Sequence, residues 1–240
     1  MNAIGRRVYG LGAAGLGIVV LAWGVVPQDW LPVPAHNSAW RPLAYAAAAV
    51  LIAAGLAINF ARVASIAALA LAALFASGML VLELPPALAK PADWVGWQAI
   101  AESTAMALGG VIACARSSSV ARIARWVFGA CLLVFGASHF VYAKLTASLV
   151  PAWLPPSQLA WATITGVAQI AAGLAMLSGI RARLAAILLA VMYAIFGALV
   201  HIPSILADPS SQSNWAENAI NLILLGVAWS VADSLETPIP

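Results

Sequence analysis

Residues 184–204 read LAAILLAVMYAIFGALVHIPS, a run of 21 residues that contains no Asp, Glu, Lys or Arg. An α-helix rises about 1.5 Å per residue, so a helix of this length crosses the ~30 Å hydrocarbon core of a bilayer. Lipid offers no hydrogen-bond partners to the backbone, and a single spanning segment must therefore be helical. This run predicts one transmembrane helix.

The rest of the chain repeats the pattern. Further apolar runs are found at 9–26, 42–60, 63–83, 97–115, 124–142, 159–178 and 216–233. Of the 240 residues, 64% are hydrophobic and only 8% are charged, whereas a soluble domain carries roughly 25% charged residues. We predict an all-α polytopic membrane protein of about eight transmembrane helices, with the lipid bilayer as its main surroundings.

Basic residues mark one side of the predicted membrane. The N-terminus and the connections after the second, fourth and sixth spans carry Arg6, Arg7, Arg62, Arg116, Arg122, Arg125, Arg181 and Arg183; the other side carries Arg41, Lys90 and Lys144. The positive-inside rule then places both termini in the cytoplasm, and we predict the bacterial inner membrane as the location. Because the basic residues lie beside span ends and form no separate patch, they do not indicate nucleic-acid binding.

The two halves of the chain match each other. The sequence IAAGLA at 52–57 recurs at 170–175, and residues 51–85 align with 169–203 without a gap at 13 identities in 35. This alignment pairs Pro85 with Pro203 and Glu83 with His201. Trp30-Leu31-Pro32 likewise resembles Trp153-Leu154-Pro155. We predict two tandem four-helix bundles in the same orientation, at 1–116 and 122–235.

Ionisable side chains inside membrane spans are costly and often functional. The second half carries most of them near the predicted outer face. The predicted cofactor-binding residues are His139, His201, Glu217, Asn218, Asn221 and Trp153. Two interpretations stay open for them. In the structural one, His139 bonds a backbone carbonyl or water and His201 bonds Glu217. In the functional one, the imidazoles exchange protons with the headgroup of a quinone-type molecule.

Other cofactors are weaker alternatives. A haem b held by His139 and His201 is one, because the two histidines lie at similar depth on different spans. Zinc held by these histidines and Glu217 is another, but no ligand spacing supports it, and we predict no metal site. Within its predicted spans, the first half has Glu83 and Glu102 as its acids and an apolar residue in place of His139, and it is predicted to be the degenerate unit.

The second half resembles the DoxX family of small four-helix membrane proteins. The residues that carry the resemblance are the segments GASHF at 136–140, VPAWLP at 150–155 and TGVAQIAAGL at 165–174, followed by Arg181 and Arg183. The resemblance implies one four-helix bundle per unit. Some members are membrane subunits of a thiosulfate:quinone oxidoreductase and others are linked to thiol redox balance. It therefore implies a redox-associated membrane protein with membrane or periplasmic partner proteins.

Three functions remain open from the sequence. The first is a redox-associated subunit that binds a quinone-type molecule near the outer face. The second is a non-catalytic scaffold or assembly partner of a larger complex, and the third is a small-molecule carrier. The sequence contains no phosphate-binding glycine loop and no recognisable nucleophile–base arrangement, and it leaves open whether the protein is an enzyme.

Overall fold

The computed structural model describes residues 4–27, 40–115 and 118–235, and all regular secondary structure in these ranges is helical. The helices are α1 (Ile4–Trp23), α2 (Arg41–Ala57), α3 (Ala64–Ala89), α4 (Trp94–Cys114), α5 (Ser118–Val141), α6 (Ala143–Leu149), α7 (Gln158–Ser178), α8 (Ala182–Ala207) and α9 (Gln212–Ser234). The prediction of an all-α chain is confirmed for the described residues. The motif Trp30-Leu31-Pro32 and Arg116 lie outside them.

Six of these helices are long and apolar enough to cross a membrane: α1, α3, α5, α7, α8 and α9. The remaining two predicted spans fall short for different reasons. Helix α2 is apolar but has only 17 residues. Helix α4 has 21 residues but includes the polar side chains of Gln98, Glu102 and Ser103. A membrane-embedded helical protein follows from the six, and the count of eight stays a prediction.

Small residues set the helix contacts in the same way in both halves. A Cβ atom added to Gly10 of α1 would lie 2.4 Å from the carbonyl oxygen of Gly55 in α2. One added to Gly129 of α5 would lie 2.9 Å from the carbonyl oxygen of Gly173 in α7. Only glycine lets two helix backbones approach this closely, which is the usual packing of helices in membranes.

The halves interlock through their first and last helices. Helix α1 packs extensively against α9, the last helix of the other half, and α5 packs against α4. By contrast, α1 and α4 of the same half have little contact. Tyr9 of α1 illustrates the arrangement, because it is fully buried, its hydroxyl donates to the carbonyl of Met106 in α4, and its backbone lies against Gly226 of α9. One apolar core therefore runs through both halves.

Two π-helical turns interrupt the long helices α3 and α8. They cover Met79–Glu83 and Gly197–His201, which are equivalent positions in the alignment of 51–85 with 169–203. A proline follows each turn, Pro85 in α3 and Pro203 in α8. Proline lacks a backbone N–H and removes one helical hydrogen bond, which accounts for an irregular turn just before it. Each π turn ends on an ionisable residue, Glu83 or His201.

The start of the last helix in each half is fixed by the same indole contact. The Nε1–H group of Trp97 donates to the carbonyl of Pro91, and that of Trp215 donates to the carbonyl of Pro209, both at 3.0 Å. These bonds hold the loop before α4 and the loop before α9 against the first turn of the helix.

Candidate functional site

The first π turn ends in a buried carboxyl group. Glu83 is only 5% exposed, and the Ser103 hydroxyl of α4 donates to its Oε1 atom at 2.6 Å. Its Oε2 atom is buried and has no hydrogen-bond partner among the described residues. An ionised carboxylate in such surroundings is costly unless it is paired. Half of this carboxyl group is therefore unsatisfied within the part of the chain that the structure describes.

The second π turn lies against two asparagines of α9. A Cβ atom added to Gly197, the first residue of the turn, would lie 3.2 Å from Nδ2 of Asn221 and 4.0 Å from Oδ1 of Asn218. Asn221 is buried, and its Nδ2 donates to the carbonyl of Tyr193 in α8 at 2.9 Å. The half-buried ring of His201 has no hydrogen-bond partner in the described ranges. The hydrogen bond from His201 to Glu217, which the structural interpretation predicts, is therefore not formed.

Glu102 of α4 connects the two π turns. Its carboxyl group lies within electrostatic range of those of Glu83 and Glu217. It also interacts electrostatically with the hydroxyl of Tyr193. Helices α4 and α9 pack against each other, which brings these residues of both halves together. We refer to Glu83, Glu102, Ser103, Tyr193, Glu217 and Asn221 as the polar cluster.

The hydroxyl of Tyr193 is a second unsatisfied polar group of the cluster. Tyr193 is 3% exposed, its ring packs edge-on against Phe196, and its hydroxyl is buried with no hydrogen-bond partner in the described part of the chain. Leaving a buried donor unpaired costs about 1–3 kcal/mol. The alignment pairs Tyr193 with Phe75, so only the second half places a phenol here. An acceptor that reached this hydroxyl would recover that free energy.

Of the six predicted site residues, the polar cluster includes Glu217 and Asn221. His139 of α5 has its Nδ1 atom 2.9 Å from the carbonyl oxygen of Phe135, and its Cβ lies 2.7 Å from where a Cβ of Gly166 would be. It therefore sits at the contact of α5 with α7, and α5 shares no extensive contact with α8 in the described ranges. Trp153 is 71% exposed in the loop before α7. The packing thus places Gly197 of the second π turn beside Asn218 and Asn221, and places His139 beside Gly166.

The residue next to His139 links the two halves. The Ser138 hydroxyl accepts a hydrogen bond from Nε1 of Trp94 at 2.8 Å. Its oxygen lies 2.5 Å from Oε1 of Gln98 and 2.9 Å from the carbonyl oxygen of Val134, so its one proton is shared between these acceptors. Trp94 and Gln98 belong to α4. The GASHF segment therefore fastens α5 to the last helix of the first half, which is a structural role for part of this motif.

Among the described residues, no group of three or more His, Cys, Asp or Glu side chains is arranged to hold a metal ion. Within the described ranges, the cluster offers one buried donor, the Tyr193 hydroxyl, and one buried acceptor, Oε2 of Glu83, without hydrogen-bond partners. Tyr193 and Ser103 were missed by sequence reasoning. A signal for Ser103 exists, because continuing the alignment that pairs Pro85 with Pro203 also pairs Ser103 with Asn221.

A family model described as a domain of unknown function, DUF8561, matches residues 128–232. The match lies within the second predicted unit and covers less than half of the chain. No curated protein matches the chain, and no solved structure matches it.

Proposed function

We propose that the chain spans the bacterial inner membrane eight times as two tandem four-helix units, with both termini in the cytoplasm. Three repeated features support this arrangement: the glycine contacts of the first helix pair, the π turn before a proline, and the indole bond that opens the last helix. The bias of basic residues supports the orientation. The shared core makes the two units one folding body, with the polar cluster between their last helices.

We propose further that the polar cluster binds a small quinone-type molecule, and that the protein is a redox-associated membrane subunit. The observation that carries this proposal is the buried hydroxyl of Tyr193, which has no hydrogen-bond partner in the described ranges and interacts electrostatically with the carboxyl group of Glu102. A quinone ring carries two carbonyl acceptors on an apolar body, so it can accept from Tyr193 while remaining soluble in lipid. Its reduced form carries hydroxyl groups, which can donate to the carboxyl groups of the cluster. The resemblance to DoxX proteins favours the same class of ligand.

The predicted binding residues divide accordingly. His201, Asn218, Asn221 and Glu217 stay in the proposed site, joined by Tyr193 and Glu102. His139 and Trp153 are assigned no ligand contact. His201 and the carboxyl groups can donate hydrogen bonds to the quinone headgroup or accept them from it.

The test is a titration of the purified protein in mild detergent with a water-soluble ubiquinone analogue, followed by tryptophan fluorescence. We expect saturable binding by the wild type. Loss of one hydrogen bond in Tyr193→Phe should raise Kd about tenfold, which corresponds to ~1.4 kcal/mol. Tyr45→Phe is the matched control, because Tyr45 is exposed on α2, and its Kd should equal that of the wild type.

Two outcomes would reject this site. Absence of saturable binding by the wild type would favour the scaffold function, which predicts stoichiometric partner proteins in a pull-down from gently solubilised membranes. Equal affinities of wild type and Tyr193→Phe, with full retention of fold, would remove the polar cluster from the binding site.

A further inference from the structure

A groove on the outside of the helix bundle lies between α7 and α8. It encloses about 270 Å³, and all but one of its lining residues are apolar. The α7 wall consists of Ala168, Ala171, Ala172 and Ala175. Their spacing of three and four residues places these methyl groups on one helix face. They are too short to fill the space in front of the leucines of α8, and the groove results from that mismatch.

The charged lining residue is Arg181, at one end of the groove. Arg181 is exposed, has a left-handed backbone (φ 51°) and directly precedes the first residue of α8, which no side chain caps. A second guanidinium group is close by: Nη1 of Arg125 lies 3.1 Å from where a Cβ of Gly179 would be. Two arginines and the positive end of a helix therefore meet at the short loop between α7 and α8.

The size, polarity and charge of the groove indicate which kind of ligand it can bind. Its volume is just below the ~300–1,000 Å³ of typical small-molecule pockets, and its walls offer a polar ligand no hydrogen bonds. Its arginine end matches an anionic phosphate, and its alanine wall matches a hydrocarbon chain. A phospholipid carries both groups on one molecule, in that order from the membrane surface inward.

We propose that this groove is a binding site for one anionic phospholipid, with an acyl chain along the alanines of α7 and the phosphate held by Arg181 and Arg125. The loop between α7 and α8 lies on the side predicted to face the cytoplasm, where anionic lipids attract basic residues. The lining of the groove contains no residue of the polar cluster, and the site does not depend on the proposed quinone binding.

The test uses the full-length protein in detergent, with native mass spectrometry after delipidation and titration with phosphatidylglycerol or phosphatidylcholine. We expect one phosphatidylglycerol to bind at least tenfold more tightly than phosphatidylcholine. Arg181→Ala should reduce that preference about tenfold. Ala171→Leu fills the groove from an exposed position and should weaken both lipids.

Two variants of the first half serve as controls. Arg62→Ala removes an exposed arginine from the loop between α2 and α3, and Ala73→Leu adds the same bulk to an exposed face of α3; both should bind like the wild type. Equal binding of the two lipids, or equal effects of Arg181→Ala and Arg62→Ala, would overturn the proposal. Displacement of the lipid by millimolar inorganic phosphate would also overturn it, because the acyl chain would then contribute nothing.

Discussion

The two π turns have the same position and the same proline after them, but they present different chemistry to the last helix of their half. The first ends on Glu83, which is almost fully buried and accepts a hydrogen bond from Ser103. The second ends on His201, which is half-buried and has no partner among the described residues. We call the first turn closed, because Glu83 is hydrogen-bonded to Ser103 of α4. We call the second turn open, because His201 has no such bond in the described ranges.

Under the proposed function, this difference assigns stability to the first turn and binding to the second. The irregular backbone is retained in both halves, and π turns are frequent at functional sites. Only the second half combines the turn with Gly197, two asparagines and the unpaired phenol of Tyr193. The first half contributes carboxyl groups to the shared cluster through Glu83 and Glu102. A ligand would thus be recognised mainly by the second half and influenced electrostatically by the first.

The largest expected effect is a loss of folded protein, and it tests whether both halves depend on the same close helix contacts at glycine. Gly10→Val and Gly129→Val each force a side chain into the backbone of a neighbouring helix, at 2.4 Å and 2.9 Å. Overpacking of this kind costs ~1–3 kcal/mol or more. We expect both variants to lose most of their folded yield in size-exclusion chromatography. The loss should be larger for Gly10→Val than for Gly129→Val.

The control for this pair is Gly78→Ala. A Cβ at Gly78 meets nothing within 4 Å, and the residue lies at the end of a regular helical segment. Alanine there should leave the yield unchanged or raise thermal stability, since it lowers the backbone entropy lost on folding by roughly 0.5–1 kcal/mol. A loss of yield in Gly78→Ala as large as in Gly129→Val would show that close packing is not the cause.

The next effect concerns the closed turn. Ser103→Ala removes the donor to Glu83 and leaves both oxygens of a buried carboxyl group without partners in the described ranges. We expect a loss of ~1–3 kcal/mol in stability, measured as a lower thermal unfolding temperature in detergent. Ser77→Ala is the control, because Ser77 is exposed and bonds only to a carbonyl of its own helix. Equal unfolding temperatures for the two variants would contradict the role of Ser103.

The smallest change in stability should come from the open turn. His201→Ala removes a ring that makes no hydrogen bond in the described structure. The free energy of unfolding should therefore change by no more than ~0.5 kcal/mol, as is typical of surface positions, and the unfolding temperature should change little. Its affinity for the quinone analogue should nevertheless fall. His139→Ala should show the opposite pattern, with lost stability from the bond to Phe135 and unchanged affinity. Weaker binding in His139→Ala than in His201→Ala would move the site to the contact of α5 with α7.

Much of the fold and part of the candidate site could be predicted from the sequence. The helices follow from local hydropathy, and the pairing of Glu83 with His201 follows from a gapless alignment. The structural interpretation of His139 also proved correct in its bond to a backbone carbonyl. The grouping of His139 with His201 in one site stays a prediction. Depth along a span is readable from sequence, but the direction in which a helix face points is set by its neighbours.

By itself, the sequence determined that the chain is helical, largely apolar and repeated, because each of these properties depends on residues within one span or on equivalent positions. Only the tertiary structure decided that α1 packs against α9 and that Glu83, Glu102, Tyr193 and Glu217 share one location. It also decided which polar atoms there remain unpaired. Hydrogen-bond satisfaction and charge repulsion act through space, between residues that can lie more than a hundred positions apart. The lack of a hydrogen-bond partner at the second π turn can therefore be recognised only when the helices that pack around this turn are in place.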